Sequence, residues 1–263
     1  MFRYPFMVNA FWAGTIVALV AAAVGWFMVL RRQAFAGHTL AVIGFPGAAG
    51  ALLLGLSAQL GFYAFGAGGA LLVAVLPARS RDASGEESAV VGTLQALALA
   101  SGFLFVSLDH GSATRMNALL FGTFLGVTER QVVVLAVVGA VTLALVALIA
   151  RPLYFASVDP DVASARGVPV RWLSVASLVV LGVAAAATSQ ITGALLVFAL
   201  LVLPAATAQR VTARPALGFG IAVALGLLAT WAGLTLGYYT SWPIGFTVTT
   251  ISFGFYALAA WRC

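Results

Sequence analysis

Residues 151–169 read RPLYFASVDPDVASARGVP, an interruption in a chain that is otherwise almost wholly apolar. The stretch holds two of the seven acidic residues, Asp159 and Asp161, and two of the thirteen arginines, Arg151 and Arg166, with Arg171 just beyond. Its order is that of a break followed by a short helix. Pro160 follows Asp159, where a missing N–H and a fixed φ suit the first helical position, and both aspartates put negative charge at the positive end of the helix dipole. Val162, Ala163, Ser164, Ala165 and Arg166 continue the turn. Gly167 is placed to end it in a left-handed conformation, and Pro169 prevents its resumption. Long apolar runs lie on either side. A compact helix of small residues between two such runs is the kind of element on which a soluble partner docks.

Composition sets the class. With 63% hydrophobic residues, 8% charged residues and a mean hydropathy of +1.10, the chain has no material for a soluble shell. Several segments exceed the ~18 apolar residues that mark a membrane-spanning helix. The net charge of +6 is no nucleic-acid signal: there is no lysine, and the arginines stand singly or in pairs at the ends of apolar runs, where topology determinants belong. The single cysteine, Cys263, is the last residue, so no intrachain disulfide forms. Arg3 is the only early charge and Arg31-Arg32 follow the first apolar run, which predicts a retained span rather than a cleaved signal.

Outward from the central break, the apolar runs predict nine crossings, at about 9–30, 40–56, 60–76, 88–108, 131–150, 172–188, 191–209, 217–239 and 244–261. The polar Gly37-His38-Thr39 is expected to open the second, Gln59 to lie in a short link, and Glu86 and Glu87 to precede the fourth. Residues 116–126 are too few to span and are expected to be re-entrant or to lie along the surface. With the Arg31-Arg32 loop in the cytoplasm, Arg31, Arg32, Arg79, Arg81, Arg151, Arg166, Arg171, Arg210, Arg214 and Arg262 fall inside, and only Arg3, Arg115 and Arg130 outside. This positive-inside bias predicts an external N-terminus, an internal C-terminus and a cytoplasmic 159–167 helix.

The runs LLFGTFLGVTERQ (119–131), RPLYFASVDPDVASARGVPV (151–170) and ITGALLVFALLVLPAATA (191–208), in that order, resemble the membrane permease subunit of bacterial ABC importers of the zinc/manganese type. The segment VLRRQAFAGHTLAVIGFPGAAGALLLG (29–55) resembles the same family. The resemblance implies an all-α, polytopic transmembrane bundle of the type II ABC importer kind, a single permease domain over 1–263, and a place in the bacterial inner membrane. It further implies a homodimer, a separate cytoplasmic ATPase, an extracytoplasmic metal-binding protein, a transported divalent metal (zinc or manganese) and no permanently bound cofactor. On this likeness the coupling helix, with Asp159, Asp161, Ala163, Ala165, Arg166 and Gly167, fits a groove on the ATPase. The chain has no P-loop, in keeping with energy supplied by a partner.

The sequence departs from the family where substrate is handled. Family members carry Asp and His four residues apart in a pattern like GDALSHAVLPG, whereas here GHTLAVIGFPG puts His38 at the Asp position and Val42 at the His position. Such a pair faces one way on a helix. A lone imidazole is a weak ligand, although two His38 copies meeting across a dimer axis would suit zinc, completed by water or carbonyls.

Plainer readings stand beside these. His38 also suits a helix cap or a headgroup contact, Asp109-His110 a solvated exit loop, and Asp159 and Asp161 simple capping. Ser189, Gln190 and Thr192 suit an outer turn or a gate, and His38, Gln190 and Thr192 are the expected pathway residues. Pro204 predicts a kink; Tyr238, Tyr239, Trp242 and Trp261 suit interface anchors. An intramembrane enzyme would need a nucleophile with a base, or a helix-borne metal motif, and a secondary transporter would carry acids within spans. The seven acids all fall outside the predicted spans, which favours an external motor. An ABC permease for a non-metal substrate, or a secondary transporter, is the alternative.

Overall fold

A computed structural model describes residues 1, 3–75, 83–109, 113–194 and 196–262. Every regular element among them is helical: α1 (Pro5–Leu30), α2 (Ala34–Leu53), α3 (Ala58–Val75), α4 (Ala83–Leu108), α5 (Ala113–Phe121), the 3-10 turn η1 (Phe124–Gly126), α6 (Glu129–Val158), α7 (Pro160–Ala165), α8 (Val170–Thr192), α9 (Val197–Val211), α10 (Pro215–Thr240) and α11 (Ile244–Arg262). The helix starts follow local chemistry. Pro5 and Pro215 open α1 and α10. Thr128 and Gln131 form a reciprocal capping box at α6: the Gln131 N–H donates to Thr128 Oγ1 (3.3 Å) and the Thr128 N–H to Gln131 Oε1 (2.9 Å).

Eight of these helices are long and apolar enough to cross a membrane. Helices α1 and α2 form the centre, with 72% and 78% of their apolar windows buried, whereas α4, α6 and α11 bury only 22%. The outer helices therefore turn apolar faces outward, as a bundle in lipid does. Bare backbone sets the closest approaches. A Cβ at Gly61 would lie 2.0 Å from the Gly47 carbonyl oxygen, and one at Gly182 would lie 2.3 Å from that of Gly66, so α3 touches both α2 and α8 directly.

The ninth connection between the ends, α9, has 15 residues. At about 1.5 Å per residue it rises only ~22 Å, short of a ~30 Å hydrocarbon core. The turn before it is covered by the expected non-spanning segment, which forms α5 and η1: the Ala194 N–H donates to the Leu119 carbonyl at 3.2 Å. Gly193, at φ +78°, ends α8 where a side chain would strike Gly122 N and Leu120 O, each at 2.3 Å.

Three expectations are corrected. Helix α2 begins at Ala34, so Gly37, His38 and Thr39 lie within it rather than ahead of it. Helix α4 begins at Ala83, so Glu86 and Glu87 lie inside its first turns. Helix α8 runs through Ser189, Gln190 and Thr192 without a break. The hydroxyls of Thr188, Ser189 and Thr192 donate to carbonyls four residues back, at 2.7, 2.7 and 3.0 Å, which satisfies them inside the helix. Arg79, Arg81, Asp82 and His110 lie outside the described residues.

The two ends of the bundle differ. Arg31, Arg151, Arg166, Arg171, Arg210 and Arg214 gather where α1, α6 and α9 end and α8 and α10 begin. There Trp26 stacks on Tyr154 and meets Phe219 edge-on, while the Gln209 amide donates to the Trp26 carbonyl at 2.9 Å. The opposite end holds the starts of α1, α3 and α11, the α8–α9 turn, and α5 with η1; there Asn9 donates to the Val127 carbonyl at 3.3 Å.

Candidate coupling helix and transport path

Helix α7 sits at the arginine-rich end, and both of its ends are closed by local bonds. The Asp159 carboxylate accepts from the Val162 N–H at 2.9 Å, with Pro160 at the first helical position. At the other end Gly167, at φ +79°, donates to the Ser164 carbonyl (2.9 Å) and Val168 donates to the Ala163 carbonyl (3.0 Å). These paired bonds are those of a Schellman motif; Ala163 belongs to the buried core, and the half-buried Val168 packs against that core. The cap and the left-handed stop thus agree with the sequence reading.

The six proposed contact residues do not share a face. Ala163 is 0% exposed and anchors α7 to the bundle. Asp161, Val162, Ser164, Ala165, Arg166 and Gly167 are exposed, and Asp159 is half-buried. An outward-facing surface of small residues, one acid and one arginine is therefore what α7 offers to a neighbour.

His38 lies in the second turn of α2 and is half-buried. Its neighbourhood is drawn from four helices. Phe198 of α9 meets its ring edge-on at a centroid distance of 5.2 Å. A side chain at adjacent Gly37 would strike Met28 of α1 and approach Leu181 of α8, and adjacent Thr39 donates to Gln95 Oε1 of α4 at 3.3 Å. His38 Nδ1 is buried and has no hydrogen-bond partner. Val42, one turn along, is 0% exposed. Among the described residues no three of His, Cys, Asp and Glu converge on one point, so a cation held by His38 needs water, carbonyls or a second chain to complete its shell.

The structure does not bring His38 together with Gln190 and Thr192. Leu181 lies level with Gly37, and Gln190 is nine residues further along α8, roughly 13 Å at 1.5 Å per residue. Thr192 is buried and bonded within its own helix. Gln190 instead accepts from the Gln59 amide at 2.9 Å, with the buried Tyr63 hydroxyl beside it. Gln59 and Tyr63 are one turn apart on α3, so this neutral polar cluster ties α3 to α8 at the end opposite the arginines. In sequence Gln59 stands in a short polar link, whereas in the structure it lies in the first turn of α3. Only the two polar breaks, at 57–59 and 189–190, hinted at the pair. The expected anchors Tyr239, Trp242 and Trp261 are exposed.

A bundle with a short α9 backed by a non-spanning segment, a capped surface helix between two long spans, and a half-buried imidazole with an unpartnered Nδ1 in a central helix is an arrangement suited to a transport permease. The chain belongs to the ABC 3 transport family, which it matches over residues 3–262. It is 27% identical over 259 residues to the manganese transport system membrane protein MntC of Halalkalibacterium halodurans, covering 98% of this chain and 88% of that protein. It is 29% identical over 250 residues to the chelated iron transport system membrane protein YfeC of Yersinia pestis, covering 95% and 84%. Its fold is similar to a chain of PsaBC from Streptococcus pneumoniae in complex with Fab, with a TM-score of 0.88, 26% identity, and coverage of 98% and 91%. The chain is therefore the membrane subunit of an ABC transporter. ATP hydrolysis resides on a separate subunit.

Proposed function

We propose that this permease imports a divalent transition metal across the bacterial inner membrane as a homodimer, with its arginine-rich end in the cytoplasm. A cytoplasmic ATPase docks on the exposed face of α7, and an extracytoplasmic protein delivers the metal at the opposite end. The observation that carries the substrate assignment is the buried, unpartnered Nδ1 of His38 in a central helix. An orphaned imidazole nitrogen inside a bundle is costly unless it has a use, and a transition-metal ion is the ligand it suits. The relatives' names favour manganese or iron as the metal. The missing carboxylate at this position favours zinc, which takes nitrogen ligands more readily than manganese does.

The test is uptake of manganese, zinc and iron by the complete transporter in proteoliposomes, with wild-type protein and His38→Ala. Loss of about tenfold or more in uptake of one metal, with the ATPase still copurifying, is expected. Because protons compete with metal for the same nitrogen, uptake also falls as the pH is lowered. Unchanged uptake of all three metals by His38→Ala would remove His38 from the path.

A further inference from the structure

We infer that Arg31 is a positioning residue that couples the α6–α7–α8 unit to α2. The guanidinium is partly buried at the turn between α1 and α2, and burial lowers its pKa from the ordinary value. Its three hydrogen bonds go to three elements. Nε donates to Oε1 of Gln33, the N-cap residue of α2 (3.3 Å); Nη1 donates to Ser157 of α6 (3.4 Å); and Nη2 donates to Ser174 of α8 (2.6 Å). None of these partners is a carboxylate, so charge neutralisation does not account for the arrangement.

Ser157 stands two residues before Asp159, the cap of α7, and Ser174 lies in the first turns of α8, just beyond α7. Arg31 therefore grips both arms that carry the external helix. Ser157 also donates to the Leu153 carbonyl, which orients its hydroxyl and leaves its lone pairs for the guanidinium. On the other side, Gln33 opens α2, and His38 follows five residues later in the same helix. Arg31 also lines a small void of about 20 Å³ with Leu153 of α6 and with Ser177 and Leu181 of α8. A planar fork with five N–H donors in fixed directions reaches acceptors on all three elements at once, which the compact ammonium of a lysine does less well.

The inference rests on the reading that α7 docks an ATPase, because only then does the α6–α8 unit move with nucleotide. A topology anchor alone would require a positive charge here but no fork.

The experiment uses the complete transporter in proteoliposomes, comparing Arg31→Lys, Arg31→Gln and the double variant Ser157→Ala/Ser174→Ala. Metal transported per ATP hydrolysed is measured alongside ATPase copurification and hydrolysis rate. All three variants are expected to copurify with the ATPase and hydrolyse ATP within about twofold of wild type, with transport per ATP lowered at least fivefold. Full coupling in Arg31→Lys would reduce the role to that of a charge and overturn the proposal. Should the arginine variants fail to fold, the serine pair decides: wild-type coupling without the two acceptors refutes the role. An Ala165→Arg control, on the exposed face of α7, is expected to lose the ATPase. Retention of the ATPase by that control would instead overturn the docking reading, and the coupling role with it.

Discussion

Removal of the Asp159 cap tests whether α7 is a preformed docking element. Six residues cannot sustain a helix alone, because nucleation costs more than one or two backbone bonds return. Three features hold α7 in place: the Asp159 cap at 2.9 Å, the Gly167 stop, and the buried Ala163. Replacing a capping aspartate by alanine costs about 1 kcal/mol, within a range of about 0.5–2. At RT of about 0.59 kcal/mol, that raises the local opening equilibrium about fivefold, and between about 2- and 30-fold across the range. Hydrogen exchange by mass spectrometry reads this directly. In Asp159→Ala, amide protection over 162–168 is expected to fall about fivefold, with exchange in α1 and α2 unchanged. In Asp159→Asn it stays near wild type, since asparagine caps about as well as aspartate. Transport should follow the same order. Equal protection in Asp159→Ala and wild type would mean that packing alone holds α7. Equal loss in both variants would mean that charge matters and the cap does not.

Ala163→Leu forces three carbons into a site with no exposure and should destabilise the docked α7 by about 1–3 kcal/mol, read as lower thermal stability in detergent; an unshifted melting temperature would show that α7 lifts off freely. For topology, a reporter fused after Arg214 should be cytoplasmic and one fused after Asp109 external, and either on the wrong side would break the proposed orientation.

The legible parts of this fold were those fixed by local chemistry. Apolar run length placed the spans, and Asp159, Pro160 and Gly167 fixed α7 almost to the residue, because caps and left-handed stops depend on a few neighbouring atoms. The misread parts depended on tertiary contact. Ser189, Gln190 and Thr192 look like a turn in sequence, yet their hydroxyl and amide groups are satisfied within α8 or across to Gln59. The real break falls at Gly193, where the backbone of Gly122, far away in sequence, leaves no room for a side chain. In sequence nothing marks Ala163 as the buried position, because a helix of small residues shows no periodicity that separates its inner face from its outer one. By sequence alone Arg31 is a topology charge. Nothing in the sequence revealed that serines 126 and 143 residues away share its fork.

If His38 lines the path as proposed, α2 supplies one side-chain ligand there, because Val42, one turn along, is apolar and wholly enclosed while Phe198 lies edge-on to His38. Pro46 has no N–H to give to the carbonyl four residues back, that of Val42, but this carbonyl points along α2 away from His38, and Val42 is wholly enclosed. On the proposed reading, an ion held by the His38 nitrogen therefore takes its remaining ligands from water or from the second copy of the chain. Such a site would hold a cation loosely, and its nitrogen favours zinc over manganese. Comparing uptake of manganese, iron and zinc by wild type and His38→Ala tests this. Zinc uptake is expected to fall most, and equal loss of all three metals would mean that His38 acts through packing rather than ligation.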